Sequence, residues 1–247
     1  MRLLLTGAAG KIGTAFYKAY ARQYQFRLVD RNSQHIELQT DTDEILKLDV
    51  SSLEACQVAC QGIDVVIHLA ANPSPDADFY QSLLSDNIVS AYNIFRAAKD
   101  QGCQRVIFAS SAQVIEGYPL DMQVHPNMPI KPGNLYGVSK CFGEALASYF
   151  ATVERISSIV VRIGNLAEFQ IGQEHTARDI SAFISEQNLV DLLNRCVCAT
   201  EVEFAIVHGV SNNRFKRLDI VNTRKLLGYQ PRDDGFRILG YKLIDDK

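Results

Sequence analysis

Short apolar runs alternate with longer amphipathic stretches along the first two-thirds of the chain. The runs at Arg2–Thr6, Phe26–Asp30, Ile45–Leu48, Val65–Leu69, Arg105–Ser110 and Ile159–Ile163 are nearly continuous in apolar residues. That is the mark of strands covered on both faces of a parallel sheet. Between them, Ile12–Gln23, Ser52–Gln61, Phe79–Gln101 and Tyr136–Thr152 repeat apolar residues at helical spacing. Asp49, Ser51 and Ser52 offer N-caps before Leu53, and Gly102 follows the longest of these stretches. The alternation predicts an α/β fold of the Rossmann type, a doubly wound parallel sheet.

The pattern changes after residue 165. Asn165 to Arg178 lacks periodicity, a strand is expected at Val202–Val207, and a helix at Asp219–Leu227 is stopped by Gly228 and Pro231. Residues 1–165 therefore read as one domain and 166–247 as a small lobe packed on it.

Composition narrows the function classes. A chain of 247 residues with 47% hydrophobic and 21% charged positions is ordinary for a globular protein. A net charge of −3 provides no basic field for nucleic acid and no cationic face for anionic lipid. No apolar run approaches the roughly 20 residues of a membrane span. The apolar run opening the chain is short and leads straight into a turn, so it reads as a buried strand rather than a signal peptide. The six cysteines form no Cys-x-x-Cys pair and lie at no zinc-ligand spacing from histidine. A reduced, cytoplasmic protein without a structural metal is expected.

Thr6-Gly7-Ala8-Ala9-Gly10-Lys11-Ile12-Gly13 follows the first strand and opens the first helix. In that context the glycines have a mechanical reading. Gly7 and Gly10 let the backbone turn around Ala9 and approach a pyrophosphate, whose charge the helix N-terminus at Lys11 and Ile12 favours. Gly13 lets the helix pack close to the sheet. Asp30, ending the second strand, is placed to bind both ribose hydroxyls of an adenosine and to repel a 2′-phosphate, which points to NAD. Arg31 pulls the other way, since a guanidinium there suits NADP. Asp49 and Val50 follow the third strand where an adenine edge is expected. Leu69, Ala70 and Ala71 end the fourth, small enough for a cofactor to lie against the backbone. His68 reads as a hydrogen-bonded core residue.

The fifth strand ends in Ser110-Ser111, and ligands bind at such carboxyl ends. Tyr136 and Lys140 lie one helical turn apart. A lone Tyr-x-x-x-Lys is weak in a chain with ten tyrosines; behind a nucleotide turn and a strand-end serine it becomes a constellation. A tyrosine titrates near pH ~10. A lysine ammonium and a nicotinamide cation beside it favour the phenolate. Tyr136 then takes the proton of a substrate hydroxyl as hydride leaves the same carbon, while Ser111 hydrogen-bonds the oxygen.

With TGAAGKIG, Asp30, LDV at 48–50, HLAA at 68–71, FASSA at 108–112, YGVSK at 136–140, RIGN at 162–165 and LLGYQP at 226–231, the chain resembles the extended short-chain dehydrogenase/reductases over its length. The resemblance implies a Rossmann domain that binds NAD and a small C-terminal lobe that binds substrate. It places Asn87 and Ile163 beside the cofactor. It also implies a homodimer or higher oligomer through Phe79–Gln101 and Tyr136–Phe150. LYGVSKCFGEALASYF, RIGN and RDISAFISEQNLVDLL are similar to the uronate dehydrogenases, which oxidise a hexuronic acid at C1 to an aldarolactone. By that likeness Arg178 binds the substrate carboxylate, with Ser74, Ser111 and Asn165 as further sugar contacts. Ala112 and Gln113 depart from the Asn-His of those enzymes, and Arg214-Phe215 from their aromatic pair. The redox chemistry is expected to persist while the sugar stays open. Alternatives are a nucleotide-sugar epimerase or dehydratase with tightly bound NAD, and a non-catalytic NAD(P)-sensing protein.

Overall fold

A computed structural model describes residues 1–241. The strands are β1 (Arg2–Thr6), β2 (Gln25–Asp30), β3 (Glu44–Lys47), β4 (Val65–His68), β5 (Arg105–Ser111), β6 (Ser157–Ile163), β7 (Asn165–Leu166), β8 (Phe183–Ile184) and β9 (Phe204–Gly209). Seven of them form one parallel sheet in the order β3-β2-β1-β4-β5-β6-β9, and β7 pairs with β8. Each apolar run singled out in the sequence is a strand of the large sheet.

The runs are continuously apolar because both faces are covered. Leu3 and Leu5 point into one core with Phe16 and Tyr17 of α1 (Lys11–Tyr20), and Leu4 points into the other with Cys56 and Cys60 of α2 (Leu53–Cys60). Ser52 caps α2, accepting the Ala55 N–H at 3.2 Å. That second layer also takes α3 (Ser90–Asp100) and α4 (Leu135–Thr152), whose Phe95 and Phe150 rings stack with centroids 5.3 Å apart. The first layer is completed by Leu189, Leu192 and Leu193 of α6 (Glu186–Cys198), which follows the short α5 (Ala177–Ser181).

Residues 79–101 are not one α-helix. A π-helical segment, Phe79–Val89, capped by Asp78, precedes α3. The wider winding turns both Leu83 and Asn87 inward, where they are buried. Beyond residue 166 the chain divides. α6 and β9 join the main layers. Val124, Ala182, Val210 and Leu218 pack with Val114 and Ile115 in a separate apolar group, and Phe169, Ile180, Phe183 and Leu239 in another. α7 (Val221–Leu227) ends at Gly228 with φ +62°, and α8 (Gly235–Ile238) follows.

The chain leaves β1 towards β2 on one side and β4 lies on the other, so a crevice opens where the sheet order reverses. Thr6 Oγ1 stitches its floor, 2.8 Å from His68 Nδ1 and accepting the Ala70 N–H at 3.3 Å. Burial pushes the pKa of His68 down to about 3, so its ring is neutral and structural.

Candidate active site

The turn after β1 is built for close approach. Gly7 has φ +70°, and a Cβ there would lie 2.8 Å from the Ala70 nitrogen. A Cβ on Gly13 would fall 2.3 Å from the Gly7 carbonyl oxygen, so α1 runs against the turn itself. α1 begins at Gly10 with no side-chain cap, which leaves its first N–H groups to an anion. From this turn a cleft of about 550 Å³ crosses the strand ends. Gly7, Gly10, Lys11, Ile12, Gly13, Asp30, Asp49, Val50, Leu69, Ala70, Ala71, Ser111, Tyr136, Lys140 and Ile163 all line it. Ala9 does not; it is exposed, and its N–H donates to Asp30 Oδ2 at 3.0 Å.

At the far end three carboxylates surround Arg31. Its guanidinium forks onto Asp86, Nη1 to Oδ1 at 3.0 Å and Nη2 to Oδ2 at 3.1 Å, with Asp49 3.9 Å away. Asp86, which no local motif marked, lines the cleft with Asp30 and Asp49. A 2′-phosphate would meet this acidic rim and an arginine already engaged. Asp86→Ala is expected to release the fork and raise kcat/KM for NADP relative to NAD by roughly tenfold, about 1.4 kcal/mol. Steady-state kinetics with both nucleotides would show it, and an unchanged ratio would remove Asp86 from cofactor choice.

At the other end α4 delivers Tyr136 and Lys140. Asn134 caps the helix, its Oδ1 accepting the Gly137 N–H at 2.8 Å while its Nδ2 donates to Gln113 Oε1 at 2.8 Å. Glycines bring helix and strand together: a Cβ on Gly137 would lie 2.5 Å from the Gln113 carbonyl, and one on Gly143 would lie 2.1 Å from the Phe108 ring. Tyr136 and Lys140 are thereby buried beside Ser111 at the end of β5. Lys140 Nζ donates to the Ala109 carbonyl at 2.9 Å and lies 5.7 Å from the Tyr136 ring centre.

The electrostatics differ from the expectation that neighbouring charge lowers the tyrosine pKa. Burial raises the Tyr136 pKa above its ordinary value, opposed by a hydrogen bond from Ser111. Burial also pushes Lys140 down to about 8, because its ammonium has lost water and has one carbonyl in exchange.

The remaining predicted contacts lie outside the cleft. Asn87 is buried behind it: Oδ1 accepts the Asn72 N–H at 2.8 Å, and Nδ2 donates to Ser139 Oγ at 2.8 Å and to the Asn72 carbonyl at 3.1 Å. Its polar atoms are spent tying the loop after β4 to α4. Ser74 is exposed on that loop, and Ala112 is buried in an apolar group. Gln113 is held by Asn134, and Asn165 donates its N–H to the Ala182 carbonyl at 2.7 Å. Arg178 and Glu116 line a second cavity of about 820 Å³. Lys11, on the cleft rim, reaches Glu168 Oε1 at 2.9 Å.

Comparison with known proteins decides the family. The model of the NAD dependent epimerase/dehydratase family matches residues 3–197. The chain belongs to that family. An NAD-dependent glucose-6-phosphate dehydrogenase of Haloferax volcanii is 34% identical, over 94% of this chain and 93% of its own. A uronate dehydrogenase of Pseudomonas putida is 32% identical, over 94% and 84%. The crystal structure of uronate dehydrogenase from Agrobacterium tumefaciens superposes with a TM-score of 0.84 at 31% identity, over 99% of this chain and 91% of that one.

NAD is the cofactor of this epimerase/dehydratase family member, and the glycine cradle, the uncapped helix start and the acidic far rim fit it. One support was not read from the sequence. Behind Tyr136 and Lys140, Glu144 of α4 accepts from Arg162 of β6, Nε to Oε1 at 2.9 Å and Nη2 to Oε2 at 2.8 Å, and from Ser110 Oγ at 2.6 Å. The signal was present: an arginine interrupts the apolar run of β6, one turn of α4 past Lys140 carries a carboxylate, and both are almost fully buried.

Proposed function

We propose that the protein is an NAD-dependent sugar dehydrogenase that oxidises the anomeric hydroxyl of a hexuronic acid, or of the related aldose, to the lactone. The observation that carries this is Ser111, Tyr136 and Lys140 gathered at one end of a dinucleotide cleft, in a chain whose near-full-length relatives include uronate and aldose dehydrogenases. When bound, NAD supplies the hydride acceptor. Tyr136 Oη takes the proton of the substrate hydroxyl, so a neutral alcohol loses one proton and one hydride and becomes a carbonyl. Ser111 Oγ holds the substrate oxygen, and the positive charge of Lys140 favours the phenolate form of Tyr136 that is consumed when it takes the proton.

Relatives named as nucleotide-sugar epimerases are less similar, 26% identical over 74% of this chain in one case. The groups around Val210 and Phe183 would form the substrate lobe within residues 166–247. Association into a dimer or higher homo-oligomer is supported by exposed Tyr80, Tyr92, Val138 and Tyr149 on the π segment, α3 and α4. No helix among the described residues is long and apolar enough to cross a membrane, which accords with the cytoplasmic location proposed for such an enzyme. NAD reduction followed with free uronic acids, aldoses and nucleotide sugars tests the reading. Turnover with free sugars is expected; epimerisation of a nucleotide sugar without net NAD reduction would overturn it.

A further inference from the structure

Arg178 is not free to receive an acid. Its Nε donates to Glu116 Oε1 at 2.8 Å and its Nη2 to Oε2 at 2.5 Å, a bidentate pair in which both side chains are about four-fifths buried. Its third edge is taken as well, Nη1 lying 3.2 Å from Asp179 Oδ1. One guanidinium thus faces two carboxylates, and the cluster carries a net charge of about −1. The other cations of this cavity are also engaged. Arg214 Nε donates to Asp234 at 2.9 Å, and Lys216 Nζ to the Asn213 carbonyl at 2.5 Å. Arg217 Nη1 and Nη2 donate to the carbonyls of Met122 and Tyr118 at 2.7 and 2.8 Å.

Two stretches of chain tie the pair to the cleft that holds Ser111. Glu116 follows the 3₁₀ turn Ala112–Ile115 that continues directly from Ser111. A Cβ on Gly133, just before the Asn134 cap of the catalytic helix, would lie 3.3 Å from the Glu116 Cβ. On the opposite wall Arg178 belongs to α5, whose C-terminal Ala182 binds the Asn165 N–H next to Gly164, a residue of the cleft. One wall is thus anchored at the catalytic serine and the other at the cleft floor, with the Glu116–Arg178 pair between them.

We infer that Glu116 is the specificity-determining residue of this site, holding Arg178 closed to acids and selecting a substrate that is uncharged at the end remote from the oxidised carbon. This rests on the dehydrogenase reading. A hexuronate would have to displace Glu116 and leave a second carboxylate in a half-dry pocket, whereas a neutral hexose can donate hydroxyls to the lone pairs Glu116 has left. Removing one partner of a desolvated pair is costly, and that cost falls on the acid alone.

The test is NAD reduction with a hexuronate and the hexose of the same configuration, by the wild type, Glu116→Gln, and Glu116→Gln with Arg178→Ala. The wild type is expected to prefer the hexose by at least about tenfold in kcat/KM. Glu116→Gln, nearly isosteric, should raise the hexuronate-to-hexose ratio by at least about tenfold, and Arg178→Ala should remove that gain. A wild type that prefers the hexuronate, with a ratio that Glu116→Gln leaves unmoved, overturns the inference and spares the dehydrogenase reading. No NAD reduction with either sugar by any of the three proteins, while NAD still binds, removes both.

Discussion

Tyr136→Phe lowers kcat/KM for the sugar by about 10²- to 10⁴-fold, the worth of a positioned general base, and leaves NAD affinity within a few-fold. The phenyl ring keeps the packing of a buried position, and the cleft contacts of the turn, Asp30 and Ala70 are untouched. What disappears is the phenol oxygen, the group at this end that can be deprotonated to a phenolate and then take the proton of the substrate hydroxyl. The pH dependence supplies a second readout. Burial raises the Tyr136 pKa, so the deprotonated base becomes more abundant as pH rises and the wild-type rate of oxidation climbs into the alkaline range. Phenylalanine removes that limb. Steady-state kinetics across pH, with NAD binding measured separately, checks both parts; a variant retaining more than about a tenth of wild-type turnover rejects Tyr136 as the base.

The second large effect is on stability. Glu144→Ala takes both carboxylate hydrogen bonds from Arg162, and the acceptor of Ser110 Oγ, at a site where the arginine is only 1% exposed. Only the Pro126 carbonyl, 3.3 Å from Nη1, remains to it among the described residues. An uncompensated buried charge of this kind costs about 3–5 kcal/mol, and for a chain of this size each kcal/mol moves Tm by roughly 2–4 °C. Thermal denaturation should therefore show a fall of about 6–20 °C. Replacing both partners, Glu144→Leu with Arg162→Met, should recover most of that fall, because two apolar chains need no pairing. A single variant as stable as wild type would show that the pair is not what joins α4 to β6.

Much of this protein is written in local pattern. The central strands were legible because a strand buried on both faces is apolar almost throughout, as Leu3, Leu4 and Leu5 show, while the half-buried edge strand β3 was carried by Ile45 and Leu46. The nucleotide turn was legible because only glycine tolerates the positive φ of Gly7 and the contact at Gly13. Tyr136 and Lys140 share one face of one helix, so their spacing alone brings them together. Ser52 and Gly228 announced their helix ends for the same reason: the atoms they satisfy lie within a turn.

Other features needed the fold. Phe79–Val89 winds as a π-helix, and Asn87, expected beside the cofactor, is turned to Asn72 and Ser139 behind it. β7 and β8 are two-residue strands, too short for any period to show.

The charged residues divide most clearly. Arg31 in sequence suits a 2′-phosphate and Arg178 a carboxylate, yet each guanidinium is already forked onto an acid far along the chain, Asp86 and Glu116. The sequence by itself determined which residues are brought together as the proposed redox set, since their spacing within a turn or at a strand end is a property of the local chain. Only the tertiary structure decided which charges remain available to a ligand. A half-buried guanidinium binds whichever carboxylate the packing brings within reach, and that choice is made across the fold.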